Sequence, residues 1–396
     1  MKKVLFMLIE MNIGGTERAL INMLSQFPKD SYEITLLLLN KNPGFMAYIP
    51  KEVKIKYIDN YEGIKALIEN PPMNNIMNAF AGKDPVKAFM LLILYVACKI
   101  KGNRERLFKY ILKHYEEEKE EYDIAAAYAG PMDFITYYVL NKTRAKKKLQ
   151  WIHFDVTKIG FNINFAAEMY RNFDRIFIVS QEAKSKFLEL IPSLAEKTQV
   201  FLNIISAREI VAMAKKGQGF NDDFQGLRIL TVGRLSIEKG QDLTIPVLSK
   251  LISDGYNVRW YCIGDGEARR QYEGAVRDYG IENDYVFLGS TANPYTYMKQ
   301  CDIYVQPSRN EGYCITIAEA KCFYRPIICT SFTGAKEQIK HKKTGLIAEA
   351  SEEGIYKALK CLLDDSELRK VLMDNLIGEI PNMGDEMKKV FYLLDV

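Results

Sequence analysis

"DIYVQPSRNEGYCITIAEAKCFYRPIICT", residues 302–330, is the stretch on which the reading of the fold turns. Two apolar runs, "DIYVQP" and "RPIICT", flank a segment of small and apolar residues that carries Glu311 and Glu319. Short apolar runs suit strands buried on both faces, and a helical segment between two of them makes a parallel crossover. The two carboxylates stand eight positions apart, which spans roughly 12 Å if the segment is helical. Paired acids that act on one glycosidic bond stand closer, at about 5–9.5 Å. Glu311 and Glu319 are therefore expected to hold the two ends of something long, not to attack one bond together.

The same alternation extends outward. "LRILTVG", "VRWYCIG", "YVFLG" and "TGLIAE" complete one set of runs; "KVLFML", "YEITLLLL", "EVKIKYI", "DIAAAYA", "LQWIH" and "RIFIVS" form another. Two sets predict an α/β protein of two Rossmann-like, doubly wound domains facing each other across a cleft. The expected domains are 1–205, with a helical insertion at about 60–122 where no clear strand is read, and 206–379. "SAREIVAMAKKGQGFNDDFQG" (206–226), polar and Gly-bearing, reads as the linker, and a tail at about 380–396 can pack back on the first domain.

Composition sets the bounds. A chain of 396 residues, 48% hydrophobic and 26% charged, is globular. In "MKKVLFMLIEMN" the apolar run lasts only from Val4 to Ile9, and no small-residue cleavage site follows, so the start reads as a buried strand and not a signal peptide. The longest apolar run, Ala88 to Cys98, is well short of the roughly 18–20 residues that span a bilayer. Seven cysteines show no CxxC pair and no metal spacing, which suits reduced core residues in a cytoplasmic protein. The net charge is only +4, and no nucleic-acid partner is expected. It is uneven: residues 1–205 hold 29 Lys and Arg against 23 Asp and Glu, the remainder 25 against 27. The excess lies around "KIKGNRERLFKYILK" (99–113) and "TRAKKK" (143–148), which read either as solvated helix faces or as contacts for an anionic membrane surface or acidic acceptor. The apolar run 88–98 likewise reads as a core helix or, with 99–113, as an interfacial helix pair.

In open parallel sheets, ligands sit at the carboxyl ends of strands. "NIGGTERAL" places Gly14 and Gly15 before an amphipathic helix, a phosphate loop or an ordinary tight turn. "CIGDGE" (262–267) lacks the third glycine of a dinucleotide fingerprint. "VGRLSIEKGQD" (232–242) sets Arg234 and Lys239 after a strand ending at Val232–Gly233. A guanidinium fork and an ammonium point charge suit a diphosphate; the other reading is a surface loop paired with Glu238. "IHFD" ends a first-domain strand and puts His153 at the facing edge, a placement His114 and His341 lack.

Together "VGRLSIEKG", "VFLG", "QPSRNEGYCITIAEAKCFYRPIICTSFTGAKE" and "KTGLI", over about residues 229–347, resemble the family-4 retaining glycosyltransferases of GT-B fold (glycosyl transferases group 1), and "GGTER" and "IHFD" extend the likeness into the first domain. Residues 60–122 match no part of it. The resemblance implies that 1–205 is the acceptor side and 206–379 binds a nucleotide sugar. It implies that Glu311 faces the transferred sugar and Glu319 binds the ribose hydroxyls, with the amides of Gly312, Tyr313, Cys314 and Ile315 along the diphosphate. Arg234 and Lys239, next to Gly233, would neutralise charge as the sugar–phosphate bond breaks, and His153 would lie beside the donor sugar. Gly14 and Gly15 would approach the diphosphate, and Leu288 in "FLGS" would border the base. Where relatives have a GGxxE run this chain has Thr333, Gly334, Ala335, Lys336 and Glu337, and where they have Ala-Cys-Gly it has Phe323, Tyr324 and Arg325. Both departures bear on loop shape near the sugar.

The implied activity is metal-independent, retaining transfer from a nucleotide sugar, UDP favoured over GDP or ADP, to a glycan or lipid-linked acceptor in polysaccharide or glycoconjugate synthesis. No cofactor is implied, and the expected place is the cytoplasm, with peripheral contact at the inner face of an anionic membrane as the functional reading of the basic half. A nucleotide-sugar epimerase of the same fold and a catalytically silent nucleotide-sugar-binding subunit are the other classes; product analysis separates all three.

Overall fold

The computed structural model describes residues 1–28, 30–379 and 384–395. Its first sheet contains β1 (Lys2–Leu8), β2 (Tyr32–Leu38), β3 (Lys54–Tyr57), β4 (Glu121–Ala127), β5 (Arg144–Ile152), β6 (Arg175–Ile178) and β7 (Thr198–Val200). The second contains β8 (Leu227–Val232), β9 (Val258–Ile263), β10 (Tyr285–Gly289), β11 (Ile303–Gln306), β12 (Ile327–Thr330) and β13 (Leu346–Ala348). All pairings are parallel, in the orders β3-β2-β1-β4-β5-β6-β7 and β10-β9-β8-β11-β12-β13. Every apolar run read as a strand is one. The seventh strand, β7, is a three-residue edge that no apolar run announces.

The central strands explain the topology. Val4, Leu5, Phe6 and Met7 are all buried, so β1 is covered on both faces, with Val4 registered against Ile34 and Ile124. Apolar residues on both sides of a strand require helices on both faces of the sheet. Strand order reverses between β1 and β4 in one sheet and between β8 and β11 in the other, which opens a crevice at those carboxyl ends. One core joins the two halves, running from Phe6, Leu20 and Trp151 to Tyr304, Ile317 and Cys329. A second lies under the outer face of the first sheet, with Met7, Phe108 and Phe134, and a third under the second sheet around Trp260 and Leu359.

Between β3 and β4 run four helices, Tyr61–Glu69, Pro72–Ala81, Pro85–Lys101 and Glu105–Ile111. Asp84 caps the third by accepting from the Lys87 N–H, and left-handed Gly102 ends it. The segment read as helical ends in the sheet, since β4 starts at Glu121. In the run 88–98, Ala88 and Leu91 are buried in the core and Leu94, Tyr95 and Cys98 pack against it, while Phe89, Met90, Leu92, Ile93 and Val96 are exposed, so the core reading holds for one side of the helix alone.

The expected linker holds a helix, Ala207–Ala214, capped by Ser206, with Ile210 and Ala214 buried. That apolar pair at helical spacing was the overlooked signal. In the tail, residues 380–383 and 396 lie outside the described residues. The helix Gly384–Asp395 buries Met387 and Val390, stacks Phe391 on Tyr32 with centroids 5.6 Å apart, and donates from Lys389 Nζ to the Val200 carbonyl at 2.9 Å. Five cysteines are buried, but Cys98 is half-buried and Cys361 exposed, so those two are not core residues. No described helix is long and apolar enough to cross a membrane.

Candidate active site

Two loops of the second domain build one half of the cleft, the one after β8 and the one after β11. Arg309 clasps Asp242 with both guanidinium nitrogens at 2.7 Å, tying the loops together. Gly240 adopts φ +72°, and a Cβ there would stand 2.0 Å from the Pro307 carbonyl oxygen, so only glycine lets the loops meet this closely. Their contact sets Lys239 Nζ 2.6 Å from Glu311 Oε1. The same oxygen accepts from Ser308 Oγ at 2.8 Å, and Gln306 Nε2 donates to that hydroxyl at 2.8 Å. Burial works against the charge of Lys239, but the Glu311 carboxylate outweighs it and holds the ammonium above its usual range. Lys239 thus pairs with Glu311 and not with Glu238, whose carbonyl instead accepts from the Arg309 N–H.

The loop from Glu311 then enters the helix Ile315–Lys321 through Cys314, which lies at φ +67°. A non-glycine residue in that region stores roughly 1–3 kcal/mol of strain, of the kind concentrated at functional sites. Because the helix begins only at Ile315, the helical spacing does not apply between Glu311 and Glu319 as a whole. Glu319 is buried and accepts from Tyr295 Oη at 2.7 Å. Burial raises its carboxyl, opposed by the charge of Arg18 and the Tyr295 hydroxyl.

The first domain supplies the facing half. Gly15, first residue of the helix Gly15–Leu24, abuts Ile315: a Cβ would meet Ile315 Cγ2 at 3.2 Å. Two helix N-termini thus adjoin across the cleft, each with unpaired backbone N–H groups and the positive end of its dipole. Arg18 Nη2 donates to the Ala292 carbonyl at 2.6 Å, and its guanidinium lies over the Phe45 ring at 4.3 Å. Gly14 borders Glu17, whose carboxyl is pushed up to about 7 by burial, with Glu10 adding and Arg234 opposing. His153 is buried against the Tyr128 ring at 4.6 Å, its Nε2 has no hydrogen-bond partner, and burial lowers its pKa to about 3. The imidazole is therefore neutral near pH 7.

Further contacts close the two domains on each other. Ser180 Oγ donates to the Gly312 carbonyl at 2.8 Å, and the Glu337 carboxylate accepts from the N–H groups of Gln181 and Glu182 at 2.9 and 2.8 Å. Asp155 accepts from Thr333 Oγ1 at 2.5 Å and Lys186 Nζ at 2.9 Å. Burial alone would raise its carboxyl, but Thr157, Thr333 and Lys186 hold it near 2. The run that departs from the expected pattern, Thr333 to Glu337, is this clasp.

The structure thus brings together Gly14, Gly15, His153, Gly233, Arg234, Lys239 and the segment Glu311 to Ile315. Glu319 stands one helix away beside Tyr295. Leu288 is exposed on β10, in no hydrogen bond or ion pair with the others. Gly264 and Gly266 of "CIGDGE" are explained by packing: Cβ atoms there would stand 1.9 Å from the Gly233 oxygen and 2.3 Å from the Leu235 oxygen. Sequence reading passed over Glu17, Arg18, Tyr295 and Ser308. The first two sit in "GGTER", where position after the glycines was a usable signal. Among the described residues no three His, Cys, Asp or Glu side chains gather as a metal site.

Residues 218–376 match the family Glycosyl transferases group 1. Arg234, Lys239, Glu311 and Glu319 all lie within the matched residues. The N-acetylgalactosamine-N,N'-diacetylbacillosaminyl-diphospho-undecaprenol 4-alpha-N-acetylgalactosaminyltransferase of Campylobacter jejuni is 26% identical over 198 residues, 49% of this chain and 52% of that protein. The chain thus matches about half the length of that relative. An uncharacterized glycosyltransferase of Haemophilus influenzae is 20% identical over 391 residues, 94% of each chain. The crystal structure of Anabaena HepE in complex with UDP and glucose covers 100% of both chains with a TM-score of 0.70 and 16% identity. That likeness gives the fold, a GT-B architecture whose second half holds the matched residues.

Proposed function

We propose that this protein is a family-4 retaining glycosyltransferase that moves a sugar from a nucleotide-sugar donor, UDP-sugar above all, to a glycan or lipid-linked acceptor without a metal ion. The observation that carries the reading is the 2.6 Å pair of Lys239 and Glu311 beside Gly312, whose backbone packs on that of His153 from the opposite domain.

The donor diphosphate lies where the helix N-termini at Gly15 and Ile315 adjoin, stabilised by backbone N–H groups and dipoles. Arg234 and Lys239 take up the negative charge that develops as the sugar–phosphate bond breaks, the effect that usually dominates such catalysis. Glu311 fixes Lys239 and turns its carboxylate to the sugar. His153, neutral, exchanges a hydrogen bond with a sugar hydroxyl, and Glu319 accepts from the ribose. The acceptor hydroxyl attacks from the leaving-group face and gives its proton to the departing diphosphate, so the anomeric configuration is kept. Relatives support the substrate classes: HepE holds UDP and glucose, and the Campylobacter enzyme is named for a diphospho-undecaprenol acceptor.

The test is a panel of UDP-, GDP- and ADP-sugars read by thermal stabilisation, since a ligand that binds the native state raises the melting point. Product analysis with the stabilising donor and a lipid-linked glycan follows. A donor that binds and is neither transferred nor hydrolysed would favour a silent binding subunit; an isomerised sugar would favour the epimerase.

A further inference from the structure

The helices Pro72–Ala81 and Pro85–Lys101 pack on each other as a hairpin, and each is apolar on two sides. One side faces the core through Ile76, Ala79, Ala88 and Leu91. The other faces water: Met77 is 62% exposed, Phe80 58%, Val86 75%, Phe89 62%, Ile93 46% and Ile100 80%. On the second helix Val86, Phe89, Ile93, Val96 and Ile100 recur at three- and four-residue steps, which makes a single outward stripe. A helix apolar all round belongs in a core or against lipid, and a continuous exposed patch of this kind marks an interaction site.

We propose that this hairpin is a docking surface for an anionic lipid bilayer. The charge around the stripe selects the occupant. Between residues 70 and 103 the sequence carries Lys83, Lys87, Lys99 and Lys101 against Asp84 alone. A second copy of the same face would meet these cations with like charge, whereas anionic headgroups neutralise them. Asp84, which caps the second helix, is thus outnumbered four to one. The helix Pro85–Lys101 has 17 residues, too few for a span, so the hairpin lies in the interface with its stripe sunk among the acyl chains and Lys83, Lys87 and Lys99 at headgroup level.

The surface adjoins the cleft. Gly102, at the end of the second helix, abuts Asn164, and Asn164 lies in the helix Ile163–Met169 that follows β5 at its carboxyl end, ten residues beyond His153. A bilayer seated on the hairpin is thus brought toward the first-domain side of the cleft. That the bilayer there presents the acceptor rests on the proposed sugar transfer; the docking itself does not.

Co-sedimentation of the full chain with phosphatidylglycerol–phosphatidylcholine vesicles, against phosphatidylcholine alone, tests this without donor or acceptor. Failure of docking and failure of transfer are therefore read separately. Binding is expected on the anionic vesicles, weakening as salt rises. The variant Phe89→Ser/Ile93→Ser/Ile100→Ser should lower partitioning at least about tenfold, and Lys83→Glu/Lys87→Glu/Lys99→Glu should abolish the preference for anionic lipid. All six side chains point to solvent, and melting curves matching the parent establish that the variants fold. Absence of binding at low salt overturns the proposal. So does binding that the triple-serine variant retains, or a dimer in solution that this variant dissolves while vesicles bind neither form.

Discussion

Gly312 and His153 touch backbone to backbone across the domain boundary: a Cβ on Gly312 would stand 2.1 Å from the His153 carbonyl oxygen. The loop that carries Glu311 is therefore seated directly on the strand end that carries His153. Gly312→Ala should force the two apart, since neither partner is a flexible side-chain end. Turnover should fall by about 10²-fold, the scale of loss from ångström-level misplacement, with circular dichroism unchanged. Turnover equal to the parent's would mean that the domains do not work in this closed arrangement.

The ion pair of Lys239 and Glu311 should behave as one unit. Lys239→Met and Glu311→Gln are each expected to cost about 10²–10³-fold in kcat, the loss seen on removing a positioned charge-stabilising group. The double variant should be little worse than either single one, because each leaves the other misplaced. Multiplying losses would show that the two residues act independently.

On the proposed function, Glu319→Ala removes a ribose acceptor; it also strands the buried Tyr295 hydroxyl. Calorimetric titration should show nucleoside diphosphate affinity reduced by about 1–3 kcal/mol, and denaturation a stability loss of similar size. Tyr295→Phe is the control, since it leaves the carboxylate in place. Unchanged nucleotide affinity in Glu319→Ala removes the assignment.

Glu17 supplies a pH signature. Burial favours its neutral form and raises its carboxyl from 4.5 to about 7, so the native state holds a proton that the unfolded chain releases. Its stabilising effect is full below pH 4.5 and is lost as pH rises through about 7. Glu17→Gln cannot ionise and should flatten that decline. Melting temperatures of parent and variant at pH 5 and pH 8 measure it; parallel decreases would mean that Glu17 titrates in the ordinary range.

An α-linked donor should give an α-linked product, and activity should persist in excess EDTA. Inversion would need a base opposite the leaving phosphate. The one carboxylate near His153 in sequence, Asp155, is buried, engaged by Thr157, Thr333 and Lys186, and held near pH 2. Anomeric couplings of the first product measured by NMR decide between the outcomes. A β-linked product ends the retaining mechanism.

The amino-acid sequence by itself determined the two sheets, because strands buried on both faces must be continuously apolar and that pattern survives in one dimension. It also placed Arg234, Lys239, Glu311 and His153 beyond the carboxyl ends of their strands, since position after a strand fixes the end of the sheet to which a loop belongs. The partnerships were decided only in three dimensions. Lys239 chose Glu311, 72 residues away, over its neighbour Glu238 because Arg309 and Gly240 lock two loops together. The run from Thr333 to Glu337 looked like a departure beside the sugar, yet it is a clasp on Asp155, Gln181 and Glu182. The apolar run 88–98 could not declare which way it faced. Periodicity records that a residue is apolar, and only the packing of neighbouring helices settles whether that side meets the core or the solvent.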